Sequence, residues 1–469
     1  MSTTPSEFDH EALWAALEAQ PGGARGRHFR VAFSGGLDST VLLVAMARLA
    51  PRLTPGSLSA IHVDHGLHPD SGRWAAACLA RCRQHGVELE VLRVDAAHER
   101  GESPEARARE ARYAALRAQL RPAEVLLTAH QADDQLETVL LQLLRGAGVA
   151  GLAAMPAQAE FGAGLHWRPL LAYPRATLLA WARSQALAGW IEDPANEDMR
   201  LARNHLRQAV LPGVWAHWPA AAAAVSRAAR HCGEAAGLLD ALAALDVGEG
   251  SEDRTLAVAT LRSLPPARGR NLLRWHIRRS GMPVPDERRL KSLLEQLVGA
   301  APDACPRLRW PGVVAARYAD RLWLIPATLL EETPAPQDWL EPERPLVLAA
   351  GLGQVSLQAT NAGGLQARAL QAGSWRVGYR RGGERIRLPG RAGSRALKKL
   401  FHEAGVPPWL RARIPLLEIA GTLAAVGDLW IDEAWWTPPG TEAWRLCWQG
   451  CKLPGRQGIH CGRAGHLIT

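Results

Sequence analysis

The sequence lacks the features that mark membrane-inserted and exported proteins. No stretch approaches the roughly 20 consecutive apolar residues that a membrane helix needs. The first ten residues do not follow the basic-then-apolar order of a signal peptide. The seven cysteines are odd in number and irregularly spaced, which argues against a disulfide framework. These absences predict a cytoplasmic protein.

Lysine is nearly absent, and arginine carries the basic charge. Only four lysines occur among the 469 residues, and the first of them is Lys291. The chain nevertheless has a formal net charge of +9, which favours a polyanionic partner. A general bias toward arginine explains the total better than recognition of phosphate by guanidinium groups does. The positions of the arginines therefore have to carry any functional argument.

The order of short apolar runs indicates three domains. In the N-terminal part, strand-like runs alternate with helical stretches at intervals of roughly thirty residues, which predicts βαβ units in a doubly wound parallel α/β sheet. An alanine-rich region then predicts a small helical domain, and short strand-like runs with Gly and Arg predict a small α+β domain. The predicted boundaries are 1–216, 217–330 and 346–450, followed by a tail at 451–469.

A glycine turn between a strand and a helix is the candidate phosphate loop. Apolar residues up to Phe33 run directly into Ser-Gly-Gly-Leu-Asp-Ser at positions 34–39, and a helical pattern follows. Such a turn directs backbone N–H groups and the helix dipole at an anion. A Walker loop is excluded because no lysine precedes Lys291, and the adjacent glycines do not fit the dinucleotide-binding pattern. Asp38 inside an anion-binding loop predicts a bridging Mg²⁺ ion.

Two further groups of polar residues are expected at the same edge of the sheet. Asp64 and His65 follow the second strand, where ligands of parallel sheets bind. Beyond the fourth strand, four residues are spaced to share one helical face: His130, Asp133, Asp134 and Glu137. Three carboxylates so close together are costly without a cation. This face therefore predicts a metal site, recognition of an ammonium group or a general base.

The basic surplus is concentrated in one segment near the C-terminus. Residues 371–415, here called the basic segment, contain nine Arg and two Lys against two acidic residues. The surplus of this segment equals the formal charge of the whole chain. Such concentration is typical of a surface that binds nucleic-acid phosphates, and a basic face that only aids solubility is the alternative.

Taken together, the motifs resemble those of the tRNA(Ile)-lysidine synthetases, which belong to the N-type ATP pyrophosphatase (PP-loop) superfamily. They are SGGxDS at 34–39, HVDHGL at 62–67, ARxxRY at 108–113, HxADDQxET at 130–138, LLRG at 143–146, RPLL at 168–171, and DPxN with RNxxR between 193 and 207. The resemblance is strong from 30 to 212 and weaker beyond. Ala195 departs from it, because a serine is expected there.

The resemblance implies a reaction and its partners. It implies ligation of free L-lysine to C2 of the wobble cytidine in a tRNA-Ile with a CAU anticodon. ATP and Mg²⁺ serve to adenylate the C2 oxygen, and lysine then displaces AMP to form lysidine. The product changes codon reading and charging from methionine to isoleucine. The oligomeric state stays open, with a homodimer as one alternative.

The resemblance also implies roles for domains and residues. Residues 1–216 are expected to be the catalytic domain, 217–330 a substrate- and tRNA-binding domain, and 346–450 a tRNA-binding domain. The expected ATP-binding residues are Ser34, Gly35, Gly36, Leu37, Asp38, Ser39, Asp64 and His65. The expected catalytic residues are Asp38, Arg112, His130, Asp133, Asp134 and Glu137. The expected tRNA-binding residues are Arg203, Arg207, Arg380, Arg381, Arg385, Arg387, Lys398 and Lys399.

Three alternatives share parts of this pattern. A tRNA thiolation enzyme would use the same loop, but such enzymes need catalytic or cluster-binding cysteines, often as C-x-x-C, and the sequence has no C-x-x-C. An amidotransferase-type synthetase would need an ammonia source, and no glutaminase segment is recognisable. A non-enzymatic RNA-binding protein would have no need for the acidic face at 130–137.

Overall fold

The computed structural model describes residues 7–66, 68–94, 104–247, 255–301, 304–331, 334–371 and 373–450. The chain divides into two units, Met1–Leu238 and Leu239–Thr469. The predicted tail at 451–469 lies outside the described residues. Within the described part of the chain, no helix is both long enough and apolar enough to cross a membrane.

One six-stranded sheet forms the centre of the N-terminal unit. Its strands are β1 (His28–Ala32), β2 (Ser57–Asp64), β3 (Glu88–Arg93), β4 (Glu124–Leu127), β5 (Gln158–Phe161) and β6 (Gly164–Trp167). They lie in the order β3-β2-β1-β4-β6-β5. Neighbouring strands are parallel, except that β5 runs antiparallel to β6. Parallel neighbours need crossover connections, which the intervening helices supply.

Helices cover both faces of this sheet. The helices that lie wholly or partly in this unit are α1 (His10–Glu18), α2 (Leu37–Leu49), α3 (Ser71–Gln84), α4 (Pro104–Gln119), α5 (Ala132–Leu144), α6 (Val149–Leu152), α7 (Arg175–Ser184), α8 (Ala202–His205), α9 (Leu211–His217) and α10 (Ala221–Val247). On one face, α2 and α7 contribute Val41 and Trp181 to the main core. On the other, Leu116 of α4 packs with Ile61 and Leu126. The predicted doubly wound parallel α/β fold is confirmed.

The order of strands creates a switch point between β1 and β4. From β1 the chain proceeds outward through β2 to β3, and it then returns to form β4 on the other side of β1. The loops that leave β1 and β4 therefore adjoin at the carboxyl edge, where Val31 pairs with Leu127. Ligands of doubly wound sheets bind at such switch points. The two candidate motifs at 34–39 and 130–137 follow these two strands.

The first part of the C-terminal unit combines helices with a small sheet. The helices are α11 (Val258–Ser263), α12 (Pro266–Arg279) and α13 (Glu287–Leu293). The strands are β7 (Thr255–Ala257), β8 (Arg307–Trp310), β9 (Val313–Tyr318) and β10 (Arg321–Pro326), in the antiparallel order β7-β10-β9-β8. The helices agree with the predicted helical region, and the sheet adds to it. Leu322 and Leu324 of the sheet share a core with Leu272 and Ile277 of α12.

Short antiparallel strands make up the last part of the C-terminal unit. They are β11 (Gln337–Asp338), β12 (Leu346–Val347), β13 (Gln354–Thr360), β14 (Gly364–Gln366), β15 (Trp375–Gly378), β16 (Arg385–Arg387), β17 (Ser394–Ala396), β18 (Leu416–Ile419), β19 (Thr422–Val426), β20 (Trp430–Ile431), β21 (Trp436–Thr437) and β22 (Ala443–Gln449). The helices are α14 (Thr328–Glu331) and α15 (Leu397–Glu403). The predicted α+β character is confirmed, while the domain boundaries at 216, 330 and 346 stay predictions.

Candidate active site

The phosphate loop at 34–39 is held in shape by its own hydroxyl groups. Ser39 Oγ donates to the carbonyl oxygen of Gly36 at 3.0 Å and lies 3.0 Å from Ser34 Oγ. Gly36 is the N-cap of α2, whose first residue, Leu37, is buried. The N-terminus of α2 therefore opens at the carboxyl edge of β1, as a phosphate-binding turn requires. The predicted strand, turn and helix are all present.

Gly35 cannot be replaced by a larger residue without displacing the loop. Its φ of +82° is in the left-handed region. A Cβ atom there would lie 2.4 Å from Ile191 Cδ1 and 2.8 Å from Cys78 Sγ. The N–H of Ile191 also donates to the Gly35 carbonyl oxygen at 2.9 Å. Ile191 and Cys78 thus support the loop from beneath, and no motif in the sequence pointed to them.

The negative charge of the Asp38 carboxylate is only partly balanced by nearby arginines. Its Oδ1 atom is buried and has no hydrogen-bond partner among the described residues. Burial, together with the nearby Asp134 carboxylate, raises the pKa of Asp38 to about 6. Arg175 opposes this effect only from a distance, because its Nε lies 3.9 Å from Asp38 Oδ1. A divalent cation would neutralise the surplus negative charge.

The residues around Asp38 can hold Mg²⁺ only if substrate phosphates supply further oxygen ligands. The described residues contain no group of three or more His, Cys, Asp or Glu side chains arranged to hold a metal. Mg²⁺ in phosphoryl-transfer sites is commonly held by one or two carboxylates, with substrate phosphates and water as the other ligands. Asp38 Oδ1, which has no hydrogen-bond partner among the described residues, lies beside the phosphate loop and meets that requirement.

Asp133 and Asp134 of α5 accept backbone hydrogen bonds from different segments. The N-cap of α5 is Gln131, so His130 precedes the helix and lies in the loop after β4. The prediction that His130 shares a helical face with the three carboxylates was therefore wrong. Asp133 Oδ2 accepts a 2.8 Å hydrogen bond from the backbone N–H of Arg175 at the start of α7. Asp134 Oδ2 accepts from the Gln131 N–H at 3.1 Å. One carboxylate thus anchors α7, and the other caps its own helix.

Glu137 is fully buried between two arginines. Both of its oxygens accept from Arg207, from Nε at 2.7 Å and from an Nη atom at 3.1 Å. Arg203 Nε lies 3.2 Å from Glu137 Oε2. Arg207 also lies 3.5 Å from Asp134 Oδ1. Burial raises the pKa of Glu137, and the Arg207 hydrogen bonds oppose that rise.

The roles predicted for Arg203 and Arg207 as tRNA ligands stay predictions. The structure brings both side chains to the acidic face of α5, where they neutralise Glu137. The spacing of RNxxR gave no sign of this partner, because Glu137 is 70 residues from Arg207 along the chain. Arg175, which reaches both Asp133 and Asp38, was not among the predicted residues either.

A second cluster, rich in arginine, surrounds His130. Burial, followed by the charges of Arg168 and Arg109, lowers the pKa of His130 well below its ordinary value. His130 Nδ1 lies 2.8 Å from Thr128 Oγ1, which lies 2.8 Å from His166 Nε2. Burial also lowers the pKa of Arg112 on α4. The sequence drew attention to Arg112 and His130, but not to Thr128 or His166.

Asp64 and His65 lie at the predicted end of β2. Asp64 is buried, and its Oδ1 accepts from the Gly66 N–H at 2.9 Å. His65 Nδ1 is buried and has no hydrogen-bond partner among the described residues. Burial and the charge of Arg112 lower the pKa of His65. Their proposed contact with adenosine stays a prediction.

The six predicted tRNA ligands of the basic segment lie in the C-terminal unit. Arg380 Nε lies 3.4 Å from Glu384 Oε2, and Arg385 donates to Ser394 Oγ at 2.9 Å. Lys398 and Lys399 are exposed on α15. The remaining two, Arg381 and Arg387, are also exposed. Arg385 and Arg387 lie on β16, Lys398 and Lys399 lie on α15, and Arg380 and Arg381 lie in the loop between β15 and β16. Their contact with tRNA stays a prediction.

Family profiles match three parts of the chain. The PP-loop domain profile matches residues 10–214, the TilS substrate binding domain profile matches 256–323, and the TilS substrate C-terminal domain profile matches 375–448. The solved structure of the U34-tRNA thiolase NcsA from Methanococcus maripaludis is 17% identical, with a TM-score of 0.40, and covers 47% of this chain and 77% of that one. That likeness is too slight to bear on function.

Curated relatives are similar over most of the chain. The tRNA(Ile)-lysidine synthase of Methylococcus capsulatus is 44% identical over 405 residues, which cover 86% of this chain and 91% of that protein. The tRNA(Ile)-lysidine synthase of Alkalilimnicola ehrlichii is 42% identical over 447 residues, which cover 94% and 97% respectively. By this similarity along nearly its whole length, the chain belongs to the tRNA(Ile)-lysidine synthase family.

Proposed function

We propose that the protein uses ATP to join free lysine to C2 of the wobble cytidine of a tRNA-Ile with a CAU anticodon, which forms lysidine. One observation carries the proposal beyond family membership. The phosphate loop follows β1, and the carboxylates of α5 with their arginine partners follow β4. The two groups lie next to each other at the switch point of the sheet. ATP and a cationic co-substrate can therefore bind next to each other.

The first step is transfer of AMP to the tRNA. The C2 oxygen of cytidine attacks the α-phosphorus of ATP, the bond to the β-phosphate oxygen breaks, and pyrophosphate leaves. Backbone N–H groups at the N-terminus of α2 bind the phosphates. Asp38 would hold Mg²⁺, which offsets the charge of the leaving pyrophosphate. Arg112 and His130 bind negative charge at the activated centre.

The second step is attack by lysine. The ε-amine forms a bond with C2, and AMP leaves with the oxygen that it received. The attacking amine must lose protons, so carboxylates near it are useful both to bind the ammonium group and to accept a proton. We assign this role to Asp134. Its side chain is partly exposed and lies 3.5 Å from Arg207, whereas Glu137 is fully buried and accepts two hydrogen bonds from Arg207, and Asp133 is engaged by the start of α7.

The two buried cysteines of α3 do not suit the thiolation alternative. Cys78 is the cysteine that supports the phosphate loop, and Cys82 lies one helical turn further along α3. Burial raises the pKa of the Cys78 thiol to about 12 and that of Cys82 to about 11. Both thiols are therefore protonated near neutral pH and poor nucleophiles.

The basic segment would bind the body of the tRNA while the catalytic unit acts on the anticodon. Eleven basic residues within 371–415 supply the positive charge, and Lys398 and Lys399 are exposed on one helix. Contacts between such groups and phosphates give affinity without sequence selectivity. Selection of cytidine at the wobble position must therefore come from the active site or from the first part of the C-terminal unit.

A direct assay tests the whole proposal. The protein is incubated with ATP, isotopically labelled lysine and a tRNA-Ile transcript with a CAU anticodon, and label in the tRNA is counted. We expect label to enter this transcript, with one AMP and one pyrophosphate formed for each lysine. A transcript with uridine in place of the wobble cytidine should remain unlabelled. Absence of label from the CAU transcript while ATP is turned over would refute lysine ligation.

A further inference from the structure

Four side chains at the ends of β4 and β6 form a continuous series of hydrogen bonds. Arg168 Nη2 lies 3.0 Å from His166 Nδ1, and His166 Nε2 lies 2.8 Å from Thr128 Oγ1. Thr128 Oγ1 in turn lies 2.8 Å from His130 Nδ1. Thr128 and His166 are buried, and the Thr128 N–H donates to the Trp167 carbonyl oxygen across the two strands at 3.1 Å. Rigid strands therefore hold the series in place.

The chemistry of these groups gives the series a single direction. A guanidinium group can only donate, so His166 Nδ1 must be the acceptor from Arg168. A neutral His166 then carries its proton on Nε2 and donates to Thr128 Oγ1. The threonine hydroxyl has one hydrogen, and among the described residues its remaining hydrogen-bond partner is His130 Nδ1, which must then be the acceptor. His130 Nδ1 is consequently unprotonated, and the proton of its neutral ring is on Nε2.

We propose that Arg168, His166 and Thr128 are positioning residues that fix His130 in its Nε2-protonated neutral form, so that it donates a hydrogen bond to the reacting centre and does not take the proton from lysine. This inference rests on the proposed function for what His130 touches, but the tautomer itself follows from the contacts alone. A neutral imidazole is an effective donor to an oxygen on which negative charge develops.

The electrostatics of the site agree with a neutral ring. Burial and the Arg168 charge lower the pKa of His166 to about 3, and burial with the charges of Arg168 and Arg109 lowers the pKa of His130 well below its ordinary value. Both rings thus lack a second proton near pH 7. The arrangement also gives Arg168 a definite role: its hydrogen bond to His166 sets the tautomer of the whole series.

The proposal is tested by a pair of substitutions at Thr128. Thr128→Val keeps the shape of the side chain but removes the hydroxyl, whereas Thr128→Ser keeps the hydroxyl. We expect Thr128→Val to lower kcat for lysine transfer by about 10- to 100-fold with little change in the KM for ATP. Thr128→Ser should stay within about threefold of the unsubstituted protein, because a serine hydroxyl bonds in the same way.

Nitrogen-15 NMR of histidine-labelled protein reads the tautomer without any catalysis. His130 is assigned from the signal that disappears in His130→Gln. We expect its Nε2 to be protonated in the unsubstituted protein, and to exchange between tautomers in Thr128→Val. A proton on His130 Nδ1 in the unsubstituted protein, or an unchanged kcat in a folded Thr128→Val, would overturn the proposal.

The NMR result also separates this inference from the proposed function. If labelled lysine does not enter tRNA but His130 carries its proton on Nε2, the function is wrong and the tautomer assignment stands. If lysine transfer proceeds and His130 carries its proton on Nδ1, only the assignment is wrong.

If Thr128→Val does not fold, Arg168→Met serves as the second variant, and its His166 signal should lose the fixed Nε2 proton.

Discussion

The charged groups around α5 in the N-terminal unit are buried or half-buried and paired, whereas most basic residues of the basic segment in the C-terminal unit are exposed. Glu137 is fully buried and accepts two hydrogen bonds from Arg207. Lys398 and Lys399, by contrast, are exposed on α15, and the Arg387 side chain is 60% exposed. Both regions bring together many charges, but in different environments.

The difference follows from what each region has to do. A site that moves AMP and an amine needs groups held in one geometry and with altered proton affinities, which burial provides. A surface that binds the phosphates of a folded RNA gains from many weakly held cations, each of which contributes a little. Substitutions should therefore have large and specific effects in the first region, and small, salt-dependent effects in the second.

The largest expected effect comes from Asp38→Asn, which keeps the shape of the side chain and removes its charge. We expect ATP–pyrophosphate exchange in the presence of tRNA to fall by about 1000-fold, because the metal and the phosphates lose their charged ligand. Asp240→Asn is the matched control, since Asp240 pairs with Arg278 on the surface. If Asp38→Asn catalyses ATP–pyrophosphate exchange at the normal rate, Asp38 has no role in binding ATP.

The next effect comes from Glu137→Gln, which removes the buried carboxylate shared by Arg203 and Arg207 and leaves Arg207 with Asp134 alone. Loss of one partner of a buried ion pair should lower the free energy of unfolding by about 3 kcal/mol and abolish lysine transfer. In the control Glu234→Gln, an exposed helical pair with Arg230 is broken, and the loss should be about 0.3 kcal/mol. Urea-induced unfolding measures both. Equal losses in the two variants would mean that burial does not make the Glu137 pair more important for stability than an exposed pair.

His276 of the C-terminal unit extends the comparison between exposed and buried groups, because it is buried like the groups of the catalytic site. Burial, aided by the charge of Arg279, lowers the pKa of His276 from 6.5 to about 4. Below pH 6.5 the unfolded chain binds a proton that the folded chain does not take up until about pH 4, so stability falls as the pH drops through this window. The unfolding free energy should decrease by about 2 kcal/mol between pH 7 and pH 5 on account of this group.

The variant His276→Leu isolates this contribution. It should lose less stability than the unsubstituted protein between pH 7 and pH 5, since the proton-binding group is gone while the apolar core around it remains. Denaturant unfolding at the two pH values gives the difference. An identical pH dependence in both proteins would show that His276 is free to take up a proton in the folded state.

The smallest effect is expected from the basic segment. The double substitution Lys398→Gln with Lys399→Gln should weaken tRNA binding severalfold, and should reduce the slope of log Kd against log salt by about 1 to 2. Lys291→Gln is the control, because Lys291 is an exposed helical lysine outside the segment. Filter binding at several salt concentrations measures the slope. If the double variant and the control have the same slope, Lys398 and Lys399 do not contact phosphate.

Much of the catalytic unit could be predicted from local pattern. The alternation of strands and helices is enough to predict a doubly wound parallel sheet, and the strand, turn and helix around 34–39 predict a phosphate site. The positions of Asp133, Asp134 and Glu137 on the helix after the fourth strand could be predicted for the same reason, whereas His130, expected on the same helical face, precedes that helix. Each of these inferences depends only on residues that are neighbours in the chain.

The tertiary structure decided which of these groups are partners. The sheet order places β4 next to both β1 and β6, so that Asp38 comes near Asp134 and Thr128 comes near His166. Arg207 reaches Glu137 across 70 residues of sequence, and a pattern read along the chain does not contain that contact. The raised pKa of Asp38 and the lowered pKa of His130 also depend on burial. Side-chain spacing is set locally by the period of a helix or strand, but burial and partnership arise only when distant segments pack together.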